Sequence, residues 1–157
     1  MSMDSDECCP LFDPRPWDMK EFSWDGKKFV KDKVSTVMHV PLNFGGAMRS
    51  LNGAVEKAGG EIPEWLCLSE HTSKWSMDLY LAVDRDIPGA ENVTFSGKFL
   101  SKVYEGPYKD MGTWTKDFKR YVAEKDHIIK RMYTWYTTCP KCARKHGKNY
   151  VVFMAKI

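Results

Sequence analysis

Residues 98–125 read KFLSKVYEGPYKDMGTWTKDFKRYVAEK, and the change of period inside this stretch decides the fold. Lys98 to Glu105 is an extended run closed by Gly106-Pro107, because proline has no N–H for a ladder and the pair marks a turn. Beyond it Met111, Trp114, Phe118, Tyr121 and Val122 fall on one stripe at helical spacing, with Lys116, Lys119 and Arg120 opposite. The spacing predicts a helix from Asp110 to Lys125. Two β-branched and aromatic segments follow, Ile129–Thr138 and Tyr150–Ile157, both with strand character.

Upstream the same order recurs. Lys33–Val40 reads as a strand ending at Pro41. A helix over Gly45–Ala58 carries Met48, Leu51, Val55 and Ala58 at helical spacing and stops at Gly59-Gly60. Trp65–His71 and Trp75–Val83 are strands, and Asp86–Asn92 is a loop. Pro41 with Pro107, Gly46 with Gly112, Met48 with Trp114 and Val55 with Tyr121 all share one offset. The expected fold is α+β: two pseudo-symmetric strand–helix–strand–strand repeats, 33–84 and 96–157. Both helices would lie on one face of an antiparallel sheet, with a ligand groove on the other. Residues 1–32, with Pro10, Pro14 and Pro16 among Trp17, Phe22, Trp24 and Phe29, read as an irregular arm packed across the domain, since that much aromatic surface is not left in water.

Length and composition narrow the function. At 157 residues with 43% hydrophobic and 29% charged residues, this is one ordinary globular domain. Net charge is +3, too balanced to point to nucleic acid. No apolar run reaches the length of a membrane span. The opening MSMDSDECCP is acidic and polar, unlike a secretory signal, so the expectation is a cytoplasmic protein with no membrane partner. Five cysteines, without an export signal, argue against a disulfide framework. Six tryptophans suit a pocket that takes a small-molecule ligand.

The run Ser96-Gly97-Lys98-Phe99, then Tyr104-Glu105-Gly106-Pro107-Tyr108, then an amphipathic helix, resembles the GyrI-like family of small-molecule-binding domains. That family is similar to the effector-binding domains of AraC-type and multidrug-sensing regulators. The resemblance covers residues 33–157 and leaves out the arm and the Cys-rich hairpin. It implies a groove between the repeats that holds drug-like, often cationic and aromatic compounds. Some stand-alone members hydrolyse reactive cyclopropane-bearing compounds. Several regulators of the family place an acid in the last strand, but here that strand reads Tyr150-Val151-Val152-Phe153-Met154. The matching strand of the first copy carries Asp78.

Residue chemistry gives three functional readings. A carboxylate in an apolar strand is costly unless it is paired or faces a wet cavity, which singles out Asp78. Glu70-His71, Lys74-Trp75 and Asp78 fall within one hairpin. Glu70 is the first candidate for a general base and Asp78 the second. Trp75, Tyr133 and Trp135 are candidates to stack a planar ligand, with Tyr104 and Tyr108 near the Gly-Pro turn as further lining. The first reading is therefore a stand-alone binder of aromatic or amphipathic compounds. The second is a hydrolase of strained or electrophilic small molecules on the same scaffold. The third is an interaction module contacting partners through the hairpin around Cys139-Pro-Lys-Cys142. That C-x-x-C spacing suits a structural zinc, with His146 and either Cys8 or Cys9 as candidate further ligands. No phosphate-binding glycine loop or nucleophile elbow is present.

Overall fold

The structure is a computed structural model and describes residues 13–37, 40–41, 44–62, 66–137 and 150–157. Its elements run in the order β1 (Lys20–Val37), β2 (Val40–Pro41), α1 (Phe44–Lys57), β3 (Cys67–Ser73), β4 (Ser76–Ala82), β5 (Glu91–Glu105), α2 (Met111–Glu124), β6 (Arg131–Tyr136) and β7 (Tyr150–Lys156). The chain divides into two compact units. A central unit is Ser23–Gly97, and a terminal unit joins the chain up to Phe22 to Lys98–Ile157.

In the central unit β4 pairs antiparallel with both β1 and β3, in a register that sets Val34 opposite Met77 and Cys67 opposite Leu81. Ala47, Leu51 and Val55 recur every four residues along α1 and bury themselves against Val30, Val34, Met77, Leu79 and Leu81. Each large aliphatic side chain so buried contributes about 1.5–3 kcal/mol. The helix ends in a paired cap. Gly59 N–H donates to the Glu56 carbonyl at 3.0 Å and Gly60 N–H to the Val55 carbonyl at 2.9 Å, with Gly59 in the left-handed region at φ +69°.

In the terminal unit β7 pairs antiparallel with β5 and β6. Trp114, Phe118, Tyr121 and Val122 of α2 bury themselves against Leu100, Val151, Phe153 and Ala155. Gly106, at φ +147°, makes the turn before the helix, and a Cβ there would lie 3.2 Å from the Trp114 ring. The helix ends in the same paired cap as α1, with Asp126 N–H on the Ala123 carbonyl and His127 N–H on the Val122 carbonyl. Here the left-handed residue is an aspartate, Asp126 at φ +62°.

These observations correct the expected fold class. An α+β arrangement of two consecutive repeats, helices on one face and groove on the other, is not what the chain forms. Among the described residues the protein is mostly antiparallel sheet, and its two α-helices are short: each has 14 residues, against 18 in β1 and 15 in β5. The difference arises in two stretches read as arm and loop. β1 begins at Lys20 rather than Lys33, because Phe22 and Trp24 alternate with Glu21, Ser23 and Asp25. β5 begins at Glu91 rather than Lys98, with Val93 and Phe95 alternating with Thr94 and Ser96. Both long strands pass from one unit into the other, so no repeat starts at residue 33 or residue 96. Among the described residues no helix is long and apolar enough to cross a membrane.

Candidate active site

The face of β1, β4 and β3 turned away from α1 carries a cluster of charged residues. Side chains alternate along a strand. With Met77, Leu79 and Leu81 committed to the core, Asp78 and Tyr80 point the other way. The register places Lys33 and Glu70 on either side of Asp78, and Lys31 and Leu68 on either side of Tyr80. Lys31, Lys33, Glu70, Asp78 and Tyr80 therefore share one face.

Asp78 is buried, at 5% exposure. Lys31 Nζ lies 3.6 Å from its Oδ2 and Lys33 Nζ 3.9 Å from its Oδ1. Both contacts are ion pairs, and Oδ1 has no hydrogen-bond partner among the described residues. Lys31 also approaches Glu91 at 3.8 Å and sits 5.9 Å above the Tyr80 ring. The charge of Asp78 raises the Lys31 amine above its ordinary value, so it is held as an ammonium. Across the hairpin the Tyr80 hydroxyl donates to Glu70 Oε1 at 3.2 Å. Two carboxylates directly opposite each other on paired strands, with Cβ atoms about 5 Å apart, repel. The two lysines on the neighbouring strand offset that repulsion.

An apolar wall adjoins the charges. Phe29, fully buried, lies 4.5 Å from Phe95 between ring centroids, and Phe95 lies 5.0 Å from Tyr80. Trp24 closes the group, 5.7 Å from Phe29 and 6.4 Å from Phe95. The arrangement sets a buried carboxylate oxygen and a second carboxylate fixed by a phenol beside a cluster of mutually tilted aromatic rings.

The structure brings Glu70 and Asp78 together, as the hairpin reading requires. Trp75 sits at the hairpin turn and is 59% exposed, its carbonyl accepting from Thr36 N–H. Tyr133 and Trp135 lie on β6 in the terminal unit and are buried, with the Arg131 guanidinium over the Tyr133 ring. Tyr104 donates its hydroxyl to Asp117 at 2.6 Å, which ties β5 to α2. Burial, with help from the Asp117 carboxylate, pushes the Tyr104 phenol above its ordinary range. Tyr108 lies in the short 3-10 turn before α2, and its side chain is outside the described atoms. Cys9, Cys139, Cys142 and His146 all lie outside the described residues. Among those described, no group of three or more His, Cys, Asp or Glu is placed to hold a metal. Cys67 is buried and its thiol is pushed up to about 12 by burial, which makes it an inert apolar side chain.

Lys31 and Tyr80 escaped the sequence reading. Lys31 lies in the stretch whose sequence reads as an irregular arm. Tyr80 carried a usable signal, since a residue two places from Asp78 on a strand shares its face.

A family model described as a bacterial hydrolase matches residues 1–157. Among solved structures, the crystal structure of an uncharacterized conserved protein from Listeria innocua is similar, with a TM-score of 0.62 and 12% identity over 88% of this chain and 91% of that one. At that identity the likeness concerns the fold alone. No curated protein matches the chain.

Proposed function

This chain belongs to the bacterial hydrolase family, and from that premise we propose that it hydrolyses a strained or electrophilic small molecule on the Glu70–Asp78 face. Glu70 is the base. Its carboxylate takes a proton from water, the water oxygen bonds to the electrophilic carbon, and the bond to the leaving atom breaks. The electron pair stays on that atom, which recovers the proton from Glu70. Tyr80, donating to Glu70 Oε1, fixes the direction of the carboxylate. Asp78 Oδ1 accepts the second hydrogen of the water, and Lys31 and Lys33 keep Asp78 in place. The half-buried Trp24 ring, backed by the buried rings of Phe29 and Phe95, holds the apolar part of the substrate. The observation that carries this reading is a buried carboxylate oxygen with no hydrogen bond among the described residues, directly opposite a second carboxylate held by a phenol. The GyrI-like resemblance of the Gly-Pro-Tyr turn belongs to the same proposal.

The test is turnover of an epoxide, styrene oxide, and an activated ester, p-nitrophenyl acetate, by wild type, Glu70→Gln and Asp78→Asn. Removing a general base lowers the rate by roughly 10²–10⁴-fold, so Glu70→Gln should be nearly inactive. Undiminished turnover in both variants would refute the assignment. Aromatic compounds that bind this face without any turnover would establish the binder instead. A structural zinc at Cys139, Cys142, His146 and Cys9 is a separate proposal. Native mass spectrometry before and after a chelator decides it by the gain or absence of one zinc mass.

A further inference from the structure

The terminal unit carries a second ligand-shaped feature, built from the chain's own Trp17. With Leu100, Val151, Phe153 and Ala155 committed to α2, strand alternation turns Phe99, Ser101, Tyr133 and Trp135 to the opposite face. Trp17 is buried on that face. Its indole meets Trp135 edge-on at 5.2 Å and Phe22 at 5.6 Å, and Phe22 stacks on Phe99 at 5.8 Å. Ser101, fully buried, donates its hydroxyl to the Trp17 carbonyl at 2.6 Å. Val103 N–H donates to Asp18 Oδ1 at 3.2 Å.

The contacts that seat Trp17 among the described residues can be reproduced by a small molecule. The ring fills an aromatic slot, the carbonyl accepts from a serine, and an acidic oxygen accepts from a backbone N–H. A serine hydroxyl buried among apolar side chains is costly without a partner. If Trp17 lifts, Ser101 becomes a donor aimed into the slot. The segment enters from a turn in which the Pro14 carbonyl accepts the N–H groups of Trp17 and Asp18 at 3.0 and 2.9 Å. It leaves through Met19 at φ +54°, a left-handed conformation that strains a residue with a Cβ. Release of the segment relieves that strain.

We propose that this face is a binding slot for aryl carbonyl compounds, with Trp17 and Asp18 as its built-in occupant. The slot lies in the other unit from the Glu70–Asp78 face and does not depend on the hydrolase reading.

The probe is N-acetyl-L-tryptophanamide, which carries an indole and a carbonyl acceptor. In the full-length wild type it should accelerate hydrogen exchange at the Trp17 and Asp18 amides in a saturable way, as it displaces the segment. Trp17→Ala should bind the probe at least about tenfold more tightly than wild type by calorimetry. Adding Ser101→Ala to that variant should weaken binding about fivefold, the usual worth of one neutral hydrogen bond. Exchange at Trp17 and Asp18 that is indifferent to the probe overturns the proposal, whatever Trp17→Ala does, because Trp17 is then permanent core. If Trp17→Ala does not fold, the wild-type exchange experiment decides alone.

Discussion

Replacing Asp117 with asparagine tests how much of α2's attachment is electrostatic. Asp117 Oδ2 accepts from Lys102 Nζ at 2.7 Å and from the Tyr104 hydroxyl at 2.6 Å, and Oδ1 accepts from Arg120 at 2.6 Å. Lys102 also lies 5.4 Å from the ring centroids of both Tyr104 and Tyr121. The hydrogen bonds from Lys102 and Tyr104, in that order, hold the Asp117 carboxyl down to about 2 from an ordinary 3.8. At about 1.4 kcal/mol per unit, that shift corresponds to roughly 2.5 kcal/mol of preference for the charged form. The Asp117 side chain keeps 26% of its surface in water, and solvent screening reduces the contribution to about 1 kcal/mol. The pKa is lowered on folding, so the contribution is complete above the unfolded value and is lost as pH falls through about 2. Urea titrations of wild type and Asp117→Asn should therefore differ by about 1 kcal/mol near neutral pH, by the same amount at about pH 5, and by less with each step below about pH 4. Equal stabilities at neutral pH would refute the reasoning, as would a gap that persists undiminished in acid.

Other changes test the turns and the buried thiol. Gly106→Ala places a Cβ against the Trp114 ring at a φ that L-residues avoid, and should cost about 1–3 kcal/mol in a urea titration. Asp126→Gly removes the left-handed aspartate at the end of α2 and should leave the protein more stable by up to about 1 kcal/mol, seen as a raised Tm. Iodoacetamide at mildly alkaline pH should leave Cys67 unlabelled in the native protein and label it in urea, as read by peptide mass mapping, because burial holds the thiol protonated.

Both helices were legible because each carries a clear apolar stripe, the first stopped by Gly59-Gly60 and the second introduced by Gly106-Pro107. The spacing predicts Gly45–Ala58 and Asp110–Lys125, and the structure forms Phe44–Lys57 and Met111–Glu124. That Glu70 and Asp78 share one hairpin was legible too; their direct pairing was not, because the register shifts between His71 and Ser73. The first half of β1 was not. Asp25-Gly26-Lys27-Lys28 interrupts the alternation of Phe22 and Trp24, and three prolines upstream suggest irregular chain. The interruption is accommodated by Gly26 in the left-handed region, its N–H bonded to Ser96 Oγ at 2.8 Å. That partner is 70 residues away, beyond the reach of any local pattern. The same long-range pairing concealed the start of β5. Lys31 was invisible as a site residue for a related reason: its role comes from Asp78 on a strand that the sequence places far downstream.

The edge-on approach of Trp17 to Trp135, at 5.2 Å and 87°, has an optical consequence. Two indoles this close couple their excited states, and excitation energy passes between them far faster than either emits. The seated N-terminal segment therefore imprints a signature on the circular dichroism and fluorescence of the unlabelled protein, one that fades when either indole moves away. The molecule carries its own spectroscopic record of whether that segment is in place.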